Sequence, residues 1–385
     1  MAIVKGNKAE YFFILNTVSE NMTQITTSFS LLTFYKFVDV TNPEQEVAEH
    51  FQFCNDIWMK GRVYIGEEWI SATMTWNIGQ IEAYKLYLAQ HSLFSNPVDL
   101  DTKATKVDGH CFDRMIVKYR PEIVALWKKV NQAQVERSRQ EIGIEEFKKV
   151  LETGDENYAI LDMRNTYEYK LGHFKGAIPA GTNNFREVQE LLKNYKEKLD
   201  GKKVIMYCTG WIRCEKLAVL LKEEWVDNFY SLDGWVVKYV NSFNDWMWLG
   251  NLYTFDGRVS TPVGDSETHQ KIAHCIYSNL LTDNCENCRY TECNARIICR
   301  KKQYKRHWGF CSEECFKNAK SSLLIKNVDR DETDYKTIRS QIKNNPALKE
   351  KFLAEIAQNL DKKLENITFP HQTSQKEELI DSCSF

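Results

Sequence analysis

The sequence predicts a multidomain protein of mixed α/β and α+β class, in which an antiparallel α+β domain, a parallel α/β domain and a cysteine-rich module follow one another. The chain has 385 residues, which is enough for two or three hydrophobic cores. Strand-like apolar runs alternate with helical patterns, and their order changes near residue 126. Seven of the 12 cysteines lie between residues 275 and 315, which sets this part of the chain apart.

The segment 26–125, which follows an N-terminal extension (1–25), is predicted to form the first domain. Asn42 and Pro43 are typical of a helix start, because asparagine caps the first amide groups and proline suits the first turn. The predicted elements are a strand at 30–37, a helix from 43, a hairpin formed by 61–65 and 70–74, a helix at 78–91 and a strand at 114–119. This βαββαβ order is the ferredoxin-like, or acylphosphatase-like, arrangement.

The segment 143–250, which a charged linker (126–142) connects to the first domain, is predicted to be an α/β domain. Its strand-like runs alternate with helical segments and lie at 159–162, 204–207 and 228–232. Such alternation predicts a parallel sheet, and functional residues of parallel sheets lie at the carboxyl ends of the strands.

Composition limits the compartment and the partners. Cysteines clustered in the module at 251–320 indicate metal or redox use where thiols stay reduced, so we predict a cytoplasmic protein. No apolar run reaches membrane-span length and the N-terminus lacks signal-peptide features, while the segment 321–385 reads as a polar tail with a helical pattern. Because the net charge is −2, nucleic-acid binding requires a local basic surface, and neither a membrane nor DNA is an expected partner.

Residues 207–216 read YCTGWIRCEK and carry the clearest chemical signal. A strand delivers Cys208 to a short loop that opens a helix, so that loop amide groups and the helix N-terminus can point at the sulfur and favour the thiolate. The loop and its predicted anion-binding groups are Thr209, Gly210, Trp211, Ile212 and Arg213. A buried core cysteine is the alternative for Cys208. Cys214 is expected to point away from the loop, as a structural residue more than as a resolving thiol.

The cysteine cluster predicts a metal site, with zinc as the expected ion. Two residues separate Cys285 from Cys288 and three separate Cys311 from Cys315, and both spacings are typical of zinc ligands. These four cysteines are the predicted ligands. The alternative is a small module of reduced cysteines that binds no metal.

Basic residues interleaved with aromatic residues predict an RNA-binding surface in the same module. Such surfaces combine phosphate contacts with base stacking. The predicted RNA-binding residues are Arg296, Arg300, Lys301, Lys302, Lys305 and Arg306. A merely solvated charged face is the alternative.

The second domain contains two linked motifs. The first comprises Leu161 to Arg164, Glu168, Gly172-His173 and Gly176 to Pro179, and the second is the Cys208 loop ending in Arg213. Together they resemble the two motifs of the rhodanese domain. The resemblance implies that Cys208 is the active residue. It also implies supporting roles for Asp162, Arg164, Glu168 and His173.

A predicted ferredoxin-like domain precedes the rhodanese unit, MYCTG and IRCEK stand at 206–216, and FDGR stands at 255–258 before the cysteines. With these features, residues 28–316 as a whole resemble the oxygen-dependent tRNA uridine hydroxylases. It implies a monooxygenase-type oxidoreductase that uses O2 to hydroxylate C5 of the wobble uridine in the tRNA anticodon loop. Against the family pattern, Ser278 and Arg300 replace cysteines, which favours one metal ion over two. A rhodanese-type sulfurtransferase and an inactive RNA-binding paralogue are the alternatives.

Four tryptophans stand where this resemblance expects glycine, namely Trp69, Trp211, Trp225 and Trp235. The chain has 17 glycines where average usage gives about 27, and it has 10 tryptophans. We hypothesise that the gene comes from a lineage that reads UGA as glycine and is here translated with tryptophan. A divergent paralogue that truly carries tryptophan is the alternative.

Overall fold

The computed structural model describes residues 29–91, 93, 103–122, 124, 129–183, 185–188, 199, 201–210, 212–223, 228–243, 246–264, 269–322, 345, 347, 351 and 354. The chain divides into two compact units, of which the first comprises residues 1–165, 175–247 and 253–261, and the second the remainder. The predicted extension and almost all of the predicted tail lie outside the described residues. Within the described parts of the chain, no helix is both long and apolar enough to cross a lipid bilayer.

The N-terminal sheet has five strands in the order β4–β1–β3–β2–β5. In chain order the elements are β1 (Phe29–Phe37), α1 (Pro43–Asp56), β2 (Lys60–Ile65), β3 (Trp69–Trp76), α2 (Ile78–Gln90), β4 (Lys103–Val107) and β5 (Met115–Tyr119). Strands β1 to β4 form the predicted ferredoxin-like sheet, in which neighbouring strands are antiparallel. The strand predicted near 114–119 is β5, which extends the sheet by pairing in parallel with β2. The strand that closes the ferredoxin-like order is β4, which the sequence analysis missed.

Local sequence accounts for the two helices of this domain. The Asn42 side chain caps α1 by accepting the amide of Gln45, as predicted, and Asn77 and Gln80 form a reciprocal capping box at the start of α2. Both helices bury apolar side chains against one face of the sheet, where Tyr84 and Leu88 of α2 join a core with strand residues.

The second domain contains a parallel sheet in the order β6–β11–β10–β7–β9. The elements in chain order are α3 (Gln132–Ser138), β6 (Glu141–Ile142), α4 (Ile144–Thr153), β7 (Tyr158–Asp162), α5 (Thr166–Leu171), β8 (Gly172–Phe174), β9 (Ile178–Pro179), β10 (Lys203–Tyr207), α6 (Ile212–Glu223), β11 (Phe229–Leu232) and α7 (Trp235–Ser242). The three predicted strands are β7, β10 and β11. Helix α3 and strand β6 lie within the segment predicted as a linker.

Within the first unit, helices α3 and α6 pack on the N-terminal sheet. Trp69 of β3 forms an apolar cluster with Val135 of α3 and Val219 of α6. Lys216 of α6 is fully buried, and its Nζ lies 3.1 Å from a carboxylate oxygen of Glu68. Because an unpaired buried charge is costly, this ion pair fixes how α6 meets the sheet.

The second unit contains α5, β8 and the cysteine-rich module. The further elements are β12 (Trp248–Tyr253), β13 (Ser260–Pro262), β14 (Cys285–Asn287), β15 (Arg296–Ile298), α8 (Lys301–Arg306) and α9 (Glu313–Ser322). Tyr253 of β12 and the first two residues of β13 belong to the first unit. Strand β12 pairs with β8 and β14 pairs with β15, both antiparallel.

Three tryptophans have left-handed backbone conformations. The φ angles of Trp58, Trp235 and Trp308 are 57°, 61° and 53°, and among the described residues six non-glycine positions have positive φ. Side chains make this region costly, whereas glycine enters it readily. Trp235 is one of the four tryptophans predicted to stand at glycine positions. Trp69 has an ordinary β backbone, and Trp211 and Trp225 lie outside the described residues.

Candidate active site

Cys208 lies immediately after β10, at the carboxyl end of a central strand of the parallel sheet. The strand is buried from Val204 to Tyr207, and helix α6 begins four residues after the cysteine. Cys208 is 1% exposed, while Thr209 and Gly210 are half-buried. Ile212 and Arg213 are buried in the first turn of α6, and Trp211 lies outside the described residues. The predicted strand–loop–helix junction is therefore present.

The environment of Cys208 favours the thiolate. Burial by itself raises the pKa of the thiol, but hydrogen bonding from the Cys214 side chain, the positive charge of Arg213 and the backbone amides of Gly210 and Cys214 lower the pKa to about 6. Hydrogen bonds and a nearby cation both stabilise the charged form. A pKa of about 6 favours the thiolate, which is the reactive form of cysteine, at neutral pH.

Cys214 faces the loop, which corrects the expectation that it points away. It is buried at the third position of α6, and its side chain is hydrogen-bonded to that of Cys208. Burial and the neighbouring Cys208 raise the pKa of the Cys214 thiol, so its proton stays on while Cys208 ionises. The expectation was wrong because the first turn of the helix turns this side chain under the loop, a direction that spacing alone does not give.

A buried ion pair braces the strand before Cys208. Arg164 and Asp162 are both fully buried, and two guanidinium nitrogens of Arg164 donate to the Asp162 carboxylate at 2.9 and 2.5 Å. The Tyr207 hydroxyl donates to the same carboxylate at 2.6 Å. Tyr207 directly precedes Cys208 and is the register partner of Asp162, so the bidentate pair fixes the end of β10.

Glu168 and His173, the other two predicted supporting residues, belong to the second unit. Glu168 is fully buried in α5. The His173 ring stacks on the Tyr169 ring with 3.9 Å between the ring centroids, and the Nδ1 atom of His173 lies 2.8 Å from the Tyr169 carbonyl oxygen.

A buried glutamate of α6 forms an ion pair with Arg139. Glu215 is 5% exposed, and Arg139 donates to its carboxylate at 2.6 Å. Burial raises the pKa of Glu215 to about 7, and the hydrogen bond and charge of Arg139 only partly oppose this. The pKa of Glu215 therefore lies near neutral pH although its side chain is almost completely buried.

An exposed aromatic side chain lies next to the arginine of the loop. The Arg213 guanidinium carbon is 5.9 Å from the ring centroid of Phe255, which is 47% exposed. Arg62 donates to the Phe255 carbonyl oxygen at 3.3 Å and so ties the N-terminal sheet to this segment. In the sequence, Phe255 stands out only as part of the FDGR motif. An exposed ring beside an arginine offers a surface on which a nucleobase can stack.

Four cysteines of the module form a group whose sulfurs lie within 4.8 Å of one another, namely Cys288, Cys293, Cys311 and Cys315. The sulfur of Cys311 is 3.7 Å from that of Cys293 and 3.4 Å from that of Cys315. Four thiolates around zinc at about 2.3 Å place neighbouring sulfurs about 3.8 Å apart. The four side chains therefore fit a tetrahedral zinc ion.

Cys285, which was predicted as a ligand, is not part of this group, and Cys293 is its fourth member instead. Cys285 lies in β14 opposite Ile298, three residues before Cys288. Cys288 directly follows the strand and continues its pairing, because its amide donates to the Ala295 carbonyl oxygen. Residues three apart in such an extended segment point to opposite faces, so Cys285 points away from the group that contains Cys288. A turn after Tyr290 brings Cys293 back, as the amide of Asn294 donates to the Tyr290 carbonyl.

The predicted basic residues fall in and around helix α8. Arg300 precedes the helix, and five of the six side chains are exposed, namely Arg300, Lys301, Lys302, Lys305 and Arg306. Arg296 in β15 is half-buried. The exposed five form a cationic surface suited to phosphate groups.

The fold and the cysteine loop together define a protein of the rhodanese-domain class. Residues 144–242 match the family model "Rhodanese-like domain", residues 29–123 match "UPF0176 acylphosphatase like domain", and residues 249–316 match "Rhodanase C-terminal". These matches confirm the predicted fold class.

Curated relatives narrow the class to one family. A tRNA uridine(34) hydroxylase of Bacillus licheniformis is 34% identical over 289 residues, which cover 74% of this chain and 88% of the relative. A tRNA uridine(34) hydroxylase of Bacillus cereus is 32% identical over 302 residues, which cover 78% and 93%. The chain belongs to the tRNA uridine(34) hydroxylase family, which confirms the resemblance inferred from the motifs.

Proposed function

We propose that this protein hydroxylates C5 of the wobble uridine of tRNA, with O2 as co-substrate and Cys208 as the catalytic nucleophile. The family names the reaction class. The observation that carries the residue assignment is the lowered pKa of a cysteine at the carboxyl end of a parallel strand. Because C5 of uridine is a weak nucleophile, the protein must first raise its electron density.

Cys208 provides a route to that activation. Addition of its thiolate to C6 of the uracil ring places the electron pair on C5 and the C4 carbonyl, which makes C5 able to attack oxygen. The thiolate is the form that can add, and the hydrogen bonds from Cys214 and the loop amides keep it available at neutral pH. Because Cys208 is 1% exposed, the half-buried rim formed by Thr209 and Gly210 must move when the base enters.

Phe255 and Arg213 are proposed to hold the nucleotide beside the sulfur. The exposed Phe255 ring supplies a stacking surface. The Arg213 guanidinium supplies a cation for the uracil carbonyl or for a flanking phosphate. The basic surface around α8 is proposed to contact phosphates of the anticodon arm.

The group of four cysteines is proposed to bind one zinc ion in a structural role. Four thiolates leave no open coordination position, so the ion stabilises the fold of the module and takes no part in the reaction. Purified protein should contain about one zinc per chain. Cys293→Ser should lower this content sharply, whereas Cys285→Ser should retain it; the reverse result would contradict the ligand set.

The reaction is tested with tRNA from a strain that lacks 5-hydroxyuridine. Incubation with the protein, a thiol reductant and O2 should produce 5-hydroxyuridine, measured by mass spectrometry of the digested nucleosides. Cys208→Ala should abolish it, while Cys54→Ala, which removes a buried thiol of the N-terminal core, should retain it. Hydroxylation by the Cys208→Ala variant would overturn the assignment. Sulfur transfer from thiosulfate to cyanide without hydroxylation would instead favour the sulfurtransferase.

A further inference from the structure

The contact between Cys208 and Cys214 bears on how the second oxygen atom of O2 is reduced. Both residues are buried, at 1% and 2% exposure, and both belong to the core beneath the loop. Five residues separate them in the chain, and the Cys214 side chain is close enough to lower the pKa of the Cys208 thiol. Two neighbouring cysteines can form a disulfide once one of the two sulfurs is oxidised.

Hydroxylation of one C5–H bond by O2 leaves one oxygen atom and requires two electrons. Two thiols supply these when they form a disulfide, since uridine, O2 and two thiols give hydroxyuridine, water and one disulfide. Among the described residues of the first unit, the other cysteines lie elsewhere. Cys54 is in the N-terminal core, and the Cys111 thiol lies 3.9 Å from the Gly109 carbonyl oxygen.

We propose that Cys208 and Cys214 form the two-electron donor of the reaction, with Cys208 accepting the second oxygen atom and Cys214 acting as the resolving thiol. The inference rests on the proposed function and names its electron source. A resolving role also gives a reason for the Cys214 side chain to lie next to Cys208.

The proposed sequence balances at each step. O2 joins C5 as a hydroperoxide while C6 is bonded to Cys208, and loss of the C5 proton with departure of the sulfur restores the ring. The Cys208 thiolate then attacks the outer peroxide oxygen. The O–O bond breaks, the oxygen left on C5 takes a proton, and Cys208 becomes a sulfenic acid. The Cys214 thiol attacks that sulfur, which forms the disulfide and releases water. An external dithiol reductant returns both residues to thiols by exchange.

A single-turnover experiment tests this sequence. Reduced protein with bound tRNA is freed of reductant without oxygen, exposed to O2, quenched in acid and alkylated, and its peptides are analysed by mass spectrometry. The expected result is one 5-hydroxyuridine for each Cys208–Cys214 disulfide. Hydroxyuridine formed while both cysteines remain open to alkylation would overturn the inference and leave the proposed function intact.

Cys214→Ser separates the redox role of Cys214 from its hydrogen bond. Serine keeps a donor toward Cys208 but cannot resolve a sulfenic acid. The variant should form one hydroxyuridine and retain a Cys208 sulfenic acid that dimedone traps, and its turnover with a dithiol reductant should fall on the order of tenfold or more. Cys54→Ala is the matched control and should behave as the wild type.

Two further outcomes have defined meanings. Turnover by Cys214→Ser equal to that of the wild type, with no sulfenic acid trapped, would overturn the role of Cys214. Absence of hydroxyuridine from the wild-type protein under every condition would overturn the proposed function, and the inference with it. Should Cys214→Ser fail to fold, the wild-type disulfide measurement alone still decides.

Discussion

Replacing Arg213 by glutamine is expected to raise the pKa of Cys208 and to shift the pH dependence of hydroxylation upward. The pKa of Cys208 lies at about 6 instead of 9.0, although burial alone would raise it. A lowering of about 3 units corresponds to about 4 kcal/mol in favour of the thiolate. The Cys214 thiol, the charge of Arg213 and two backbone amides together provide this stabilisation.

The share of Arg213 can be estimated from the effect of a neighbouring opposite charge. Loss of such a charge raises the pKa of an acidic group by about 1 to 3 units. An increase of about 1.5 units would lower the thiolate fraction at about pH 6.5 from roughly three quarters to roughly one tenth. Arg213→Lys keeps the charge and should shift the pKa by less than about 1 unit.

The thiolate is measured by its ultraviolet absorbance as pH rises, with Cys208→Ala subtracted to remove the other cysteines. The single-turnover rate of hydroxylation is measured over the same pH range. The Arg213→Gln variant should be slow at low pH and should recover as pH rises through the new pKa. An unchanged thiolate titration combined with a slow rate at every pH would refute this reasoning, because Arg213 would then act on tRNA alone.

Three other predictions follow from exposure, backbone geometry and burial. Trp58 is 74% exposed and has a φ of 57°, a backbone conformation that glycine adopts more readily than alanine. In urea titrations, the free energy of unfolding of Trp58→Gly should therefore be about 1 kcal/mol higher than that of Trp58→Ala. Equal stabilities would argue against a glycine position. Phe255→Ala should raise the KM for tRNA, whereas Phe51→Ala, which removes a comparably exposed ring on α1, should leave it unchanged; equal effects would remove Phe255 from the binding surface. The pKa of Glu215 is raised from 4.5 to about 7, so folding favours its protonated form. The free energy of unfolding of the wild type should therefore fall as pH rises from about 4.5 to 7, by a total on the order of 3 kcal/mol. Glu215→Gln should remove this slope in denaturation curves measured at several pH values, and a slope that persists would assign it to another group.

The tryptophan hypothesis has a direct test outside the protein. The codons at the four positions should be UGA if the gene comes from a lineage that reads UGA as glycine, and UGG codons would end the idea. The left-handed backbone of Trp235 supports a glycine there, and Trp58 and Trp308 extend the pattern to two further positions. Mass spectrometry of native peptides containing these positions would give the same answer.

Local chemistry accounts for what the sequence determined by itself. The β10–loop–α6 junction, the cap of the first helix and the hairpin all depend on residues close together in the chain. Their signals are apolar periodicity, an N-cap and a turn, and each is complete within about ten residues. The rhodanese motif and the assignment of Cys208 followed from such signals because the loop and its cysteine are contiguous.

The tertiary structure decided which distant or oppositely facing side chains meet. Sequence spacing placed Cys285 with Cys288, but strand alternation turned it away and a turn brought in Cys293. Spacing also could not fix the direction of Cys214, which depends on where the first turn of α6 starts relative to the loop. Strand β4, rather than β5, closes the ferredoxin-like sheet because pairing is a long-range choice. The cysteine that we propose as the nucleophile was thus predictable from the chain. Its sulfur partner, the proposed metal ligands and the exposed Phe255 beside Arg213 depend on tertiary packing, which decides which side chains share a face.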